Sequence, residues 1–233
     1  MFMHMKTLLL VGSIGLFLGL VGCTEQQEIE MAETRNDVAQ EVAAFQEDFE
    51  RELQEVDRHL QELSARVDAA GEAAAGELRE TVASLREERE ELARQLDTLA
   101  DHSAEELAAT RDTMERRLIE LETELERARL MAHTEREAFL QAAEEYVRDL
   151  DQRIARLESR LEGQAEAASE AYRDRLADLR EAQADLEEKV ARLSHATRQE
   201  FETLRDEVAE DLADLDRKLR ETVHRMEEDP GAV

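Results

Sequence analysis

Tryptophan is absent from the 233 residues, aromatic side chains make up 3%, and there is one proline, Pro230. Four of the 8 glycines (Gly12, Gly15, Gly19 and Gly22) fall in the first 22 residues, and Asn36 is the one asparagine. A compact fold with many loops needs Gly, Pro, Asn and Asp at defined turn positions, so this composition excludes a loop-rich or β-rich body. The one cysteine, Cys23, excludes an intrachain disulfide and a thiolate metal site. Lysine is nearly absent as well: apart from Lys6, Lys189 and Lys218, the 30 basic residues are arginine. Beyond residue 22 there is no long apolar run.

What remains is Ala, Glu, Leu and Arg, with 38% charged residues and a net charge of -29. An excess of 59 acids over 30 bases disfavours nucleic acid and anionic lipid headgroups as partners. High charge with few aromatics also describes disordered chains, and periodicity decides against that. From Val38 the apolar residues step along one helical face: Val42, Phe45, Phe49, Leu53, Val56, Leu60, Leu63, Val67. Leu78, Val82, Leu85, Leu92, Leu96 and Leu99 fit heptads with Arg89 in the seam. Leu107, Met114, Leu118, Leu121 and Leu125 follow after a stutter, and Phe139, Tyr146, Leu150, Ile154, Leu157 and Leu161 resume the stripe. Near the C-terminus the repeat becomes eleven residues, with rows Val190–Phe201–Leu212–Val223, Leu193–Leu204–Leu215–Met226 and Thr197–Val208–Leu219. Eleven residues in three turns favour a straight or slightly right-handed supercoil.

The pattern predicts an all-α protein, an extended coiled coil of long amphipathic helices over 37–228. It forms one rod, on the order of 300 Å if unbroken, or two to three segments. Candidate breaks lie at 69–76, around Gly71 and Gly76, and at 163–168, after Gly163. An apolar stripe of this length must be covered by the chain itself, a copy or a partner. Six acid-to-base pairs four residues apart are expected on exposed faces: Glu47–Arg51, Glu62–Arg66, Glu90–Arg94, Glu144–Arg148, Asp149–Arg153 and Asp214–Lys218.

The first 22 residues read as a targeting segment: Lys6, then the apolar run 7–21, then Gly22-Cys23. The run is too short and too glycine-rich for a membrane span. Leu20-Val21-Gly22-Cys23 resembles the lipobox of bacterial lipoproteins. The resemblance implies cleavage before Cys23, acylation of its sulfur and new amine, and thereby a membrane anchor. Residues 1–22 are then a removed signal peptide, 23–36 the anchor and a short polar tether, and 229–233 a C-terminal tail. In the Gram-negative pattern Thr24, where Asp would favour inner-membrane retention, implies the outer membrane facing the periplasm. Murein-linked lipoproteins share the lipobox but end in a lysine; this chain ends Asp229-Pro230-Gly231-Ala232-Val233, so no such link is expected. The eleven-residue rows resemble those of exchangeable apolipoproteins in pattern only, because the polar face here is acidic.

No catalytic motif or Gly-rich phosphate loop occurs, and no catalytic, cofactor or metal residue is predicted. His59, His102, His133, His195 and His224 are never three or four apart, and they read as solvent-facing. Acidic runs such as Glu87-Glu88-Arg89-Glu90-Glu91 read as solvated faces rather than calcium loops. The expected function is a structural spacer, scaffold or protein-interaction module. The alternatives are a regulatory or chaperone-like adaptor of an envelope enzyme or transporter, and a lipid- or cell-wall-binding module. The expected partners are the membrane through Cys23 and a copy or another helical protein through the apolar stripe, with no nucleic acid and no small-molecule substrate.

Overall fold

The computed structural model describes the backbone of residues 22–69, 72–162 and 166–228, and the side chains of 38–69, 76–103, 106–161 and 172–226. All the described elements are helical: α1 (Gly22–Ala69), α2 (Glu72–Thr98), α3 (Ala104–Met131), α4 (Arg136–Glu162), α5 (Glu166–His195) and α6 (Arg198–Glu228), with a 3₁₀ turn at Leu99–Asp101. The all-α expectation holds. The segment 1–21, Gly71, Gly163 and the tail 229–233 lie outside the described residues. The chain divides into two compact units after Phe45. In the first, the described residues are the N-terminal part of α1, in which Val42 and Phe45 are buried.

In the second unit, Gln46–Val233, the helices fold back and pack as a bundle in place of an extended rod. Cross-helix bonds give the order. Gln46 Nε2 donates to the Leu96 carbonyl at 3.1 Å and Arg89 pairs with Asp57 at 2.6 Å, so α2 runs antiparallel to α1. Arg117 pairs with Glu88 at 2.7 Å, which makes α3 antiparallel to α2. A second triad follows. Arg180 reaches Glu158 at 2.7 Å and Asp151 at 2.6 Å, and the Tyr172 hydroxyl donates to the Arg225 carbonyl at 3.1 Å, so α4, α5 and α6 alternate. The α3 helix lies antiparallel along α6 and joins the triads.

The apolar stripe supplies the cores. Phe49, Leu53, Leu63, Leu92, Leu99, Met114, Leu121 and Leu125 are fully buried in the first triad. Phe139, Ile154, Leu193, Val208, Leu212 and Leu219 belong to the cluster of the second. Phe139 meets Phe201 edge-on, with ring centroids 6.1 Å apart, and the Arg136 guanidinium lies over Phe201 at 4.8 Å while donating to the Ala196 carbonyl at 2.6 Å. Each fully buried side chain of this size contributes about 1.5–3 kcal/mol, and the alternating topology covers the stripe within one chain.

Periodicity gave no warning of three of the turns. Leu99–Ser103, Ala132–Glu135 and Ala196–Thr197 reverse the chain without Gly or Pro. Ser103 is the N-cap of α3: its hydroxyl accepts from the Glu106 amide, and Glu106 reaches back to the Ser103 amide. Thr197 does the same for α6 with Glu200, whose carboxylate takes the Thr197 amide at 2.8 Å. Such reciprocal capping satisfies amides that a helix start leaves unpaired. Thr197 is therefore an exposed cap, not a member of an apolar row. Gly76 lies inside α2, exposed, with open space around it, and does not break the helix. Of the expected four-apart pairs, Asp149–Arg153 forms at 3.6 Å and Asp214–Lys218 at 2.7 Å. Arg51 instead pairs with Asp48, Arg94 with Glu91, and Arg66 with His133. Arg148 donates to the backbone carbonyl of Glu144 at 3.1 Å.

Candidate functional site

Cys23 falls in the first turn of α1, and its side chain, like that of Thr24, lies outside the described residues. Among the described residues no helix is long and apolar enough to cross a membrane, and no cluster of three or more His, Cys, Asp or Glu is placed to hold a metal.

The densest polar chemistry sits where α3, α4 and α6 meet. Asp216 on α6 is 0% exposed. Its carboxylate accepts from Arg153 of α4 at 2.5 Å and from Nε of Arg220 at 2.8 Å. Arg220 also pairs with Glu122 of α3. A carboxylate wholly out of water survives only where donors replace its hydration, and the two guanidiniums do so. Burial raises the Glu122 carboxyl above its ordinary range despite the pull of Arg220, a cation it shares with Asp216. Burial alone would lower Arg220, yet the charges of Asp216 and Glu122 hold it above its ordinary value. Tyr146 stands beside this group. Burial, with the negative charge of Asp216 next in weight, drives its phenol strongly upward, so it stays protonated. Its hydroxyl is buried without a hydrogen-bond partner.

Tyr146 also lines a cleft of about 380 Å³ between α1, α3, α4 and α6. Four arginines (Arg66, Arg129, Arg153 and Arg220) and His133 face three carboxylates there (Glu126, Glu145 and Asp149). Arg66 donates to Nε2 of His133 at 2.8 Å, which fixes that nitrogen as the acceptor of a neutral ring. Burial and then Arg66 and Arg129 lower the His133 pKa. His59, lowered by burial first and Arg129 second, lies 3.7 Å from Glu126. His224 lies 3.3 Å from Glu115 and 3.6 Å from Asp112. The expectation of solvent-facing histidines therefore holds for His102 and His195, which are exposed, and fails for His59, His133 and His224, which sit between helices. The failure has a simple cause: in a bundle each helix touches two or three others, and residues off the main stripe become inter-helix contacts.

Arg89 was legible as an oddity in a heptad seam, and the structure gives it a partner in Asp57. Asp216, Glu122 and Tyr146 carry no linear motif. Only the pairing of α3 with α6 brings them together, 98 residues apart in the case of Arg220 and Glu122. Comparison of the chain with protein-family models, with curated proteins and with solved structures finds no match.

Proposed function

We propose that this chain is an exported lipoprotein, held to a membrane by acyl groups on Cys23, whose helical body serves as a protein-interaction module. The observation that carries the reading is the lipobox-like Leu20-Val21-Gly22-Cys23 behind a basic and then apolar segment, ahead of a body that is charged throughout. Several acyl chains at about 0.8 kcal/mol per buried CH₂ give durable anchoring without a spanning helix. Thr24 favours the outer membrane, facing the periplasm. The coiled-coil pattern is read here as short antiparallel seams within one chain, such as Leu85, Leu92 and Leu96 of α2 set against α1 and α3.

Between a self-associating stalk and an adaptor for an envelope enzyme or transporter, one observation favours the adaptor. The apolar stripe is buried by the chain's own helices, so no second copy is needed to cover it. Metabolic labelling with a palmitate analogue tests the anchor: wild type is labelled and sediments with membranes, and Cys23→Ser loses both. Labelling that survives in Cys23→Ser overturns it. Crosslinking in cells then tests the adaptor: a distinct envelope protein supports it, and self-crosslinks alone favour the stalk.

A further inference from the structure

We propose that the α3–α6 seam is a joint, along which the triad α1–α3 and the triad α4–α6 part while each keeps its own core. Four independent features of the seam point the same way. First, the apolar cores are nearly separate. Among the described residues, Leu130 is the one buried side chain of α1–α3 in the cluster of α4–α6, with Met131 partly buried against it. Second, charge pairs cross the seam: Arg220 to Glu122, and His224 to Asp112 and Glu115. Desolvated charge pairs fix register but add little net cohesion compared with apolar packing of the same volume.

Third, grooves border the seam. The cleft of about 380 Å³ lies mainly between α3 and α4 and reaches Arg220 on α6. A groove of about 230 Å³ lies between α3 and α6 over Thr123 and Ala213, and one of about 340 Å³ runs between α2 and α3 and reaches Arg205 on α6. Fourth, unmet hydrogen bonds gather there too. The Thr123 hydroxyl, Arg127 Nε and the Tyr146 hydroxyl are buried without partners. Each regains a water when the seam parts, which lowers the cost of opening. A surface crossed by charge pairs, bordered by grooves and left with unmet hydrogen bonds is one where a sub-global opening is cheap. Helix hydrogen bonds are all internal to their helices, so parting the triads breaks none of them.

The test is thiol labelling in the native state, on the full chain carrying Cys23→Ser so that one engineered thiol remains. Thr123→Cys and Ala213→Cys report on the seam, where these residues are 4% and 6% exposed; Ala143→Cys, at 0%, reports on the second core. All three are small-volume changes, and circular dichroism verifies the fold of each. The seam thiols should label at least about tenfold faster than Cys at position 143, with little dependence on low urea, as expected for an opening that exposes little surface. Adding Glu122→Gln removes the charge that crosses the seam while Arg220 keeps Asp216, and should speed the seam thiols while leaving position 143 slow. Equal rates and equal urea dependence at the three positions overturn the joint. So does an unchanged seam rate with Glu122→Gln, because that means labelling through a standing groove.

Discussion

Asp216 concentrates the electrostatic risk of this protein in one side chain. It is 0% exposed and serves two guanidiniums, each of which keeps about a quarter of its surface in water. Replacing it with Asn deletes the charge and leaves Arg153 and Arg220 facing a neutral amide. Removing one partner from a buried pair costs on the order of 3–5 kcal/mol, and partial hydration of the arginines sets the expected loss near the lower end, about 3 kcal/mol. Urea denaturation of Asp216→Asn against wild type measures it. A loss below about 0.5 kcal/mol, the range of ordinary surface changes, would show that the network carries little of the fold's stability. Asp216 sits four residues after Leu212 and three before Leu219, on the buried face of α6. The sequence alone names no partner for it, since its partners lie on a helix 63 residues away and on its own next turn.

The elements show where periodicity speaks and where it is silent. Of the apolar rows Val190–Phe201–Leu212–Val223 and Leu193–Leu204–Leu215–Met226, six members are buried, and Val223 and Leu204 are partly exposed. Yet the chain reverses at Ala196–Thr197, inside those rows. A stripe records which residues face the core; it does not record on which of two antiparallel helices they do so. The information on direction lay in capping chemistry, Ser103-Ala-Glu-Glu106 and Thr197-Arg-Gln-Glu200, rather than in glycine. That is why Gly76 attracted attention as a break and lies inside a helix. Ser103→Ala and Thr197→Ala should each cost about 1 kcal/mol, whereas Gly76→Ala, which meets nothing within 4 Å, should stabilise by roughly 0.5–1 kcal/mol. Thermal melts of the three variants decide the ranking. If the caps prove neutral, the turns are held by tertiary packing alone.

For the whole molecule, acidification pulls in two directions. Burial raises the carboxyl of Glu122 in the fold. A raised group stabilises most below its unfolded pKa, and that contribution fades as pH rises through the folded value. His59 and His133 are lowered by burial. They contribute above the ordinary histidine value, and the contribution is lost as pH falls through their folded values. Between pH 7 and pH 5 the two trends oppose each other. Replacing both histidines with Gln should remove the losing one, so the variant gains stability relative to wild type at pH 5 compared with pH 7. Urea midpoints at the two pH values measure the difference, and an unchanged ratio would place those rings in water.

The count of helices has its own consequence. The six described helices alternate, so the end of α6 returns to the end of the bundle where Gln46 of α1 lies. Arg136 bonds Ala196, and Arg66 bonds His133, at one end; His224 reaches Asp112 and Glu115 near the other. Within Gln46–Val233, the entry of α1 and the exit of α6 therefore share a side, and the turns at 132–135 and 196–197 occupy the opposite one. An epitope tag inserted at Glu228, where α6 ends, and one inserted at Thr134 thus probe opposite poles of the same body. An antibody footprint at each pole would tell which one a bound partner shields.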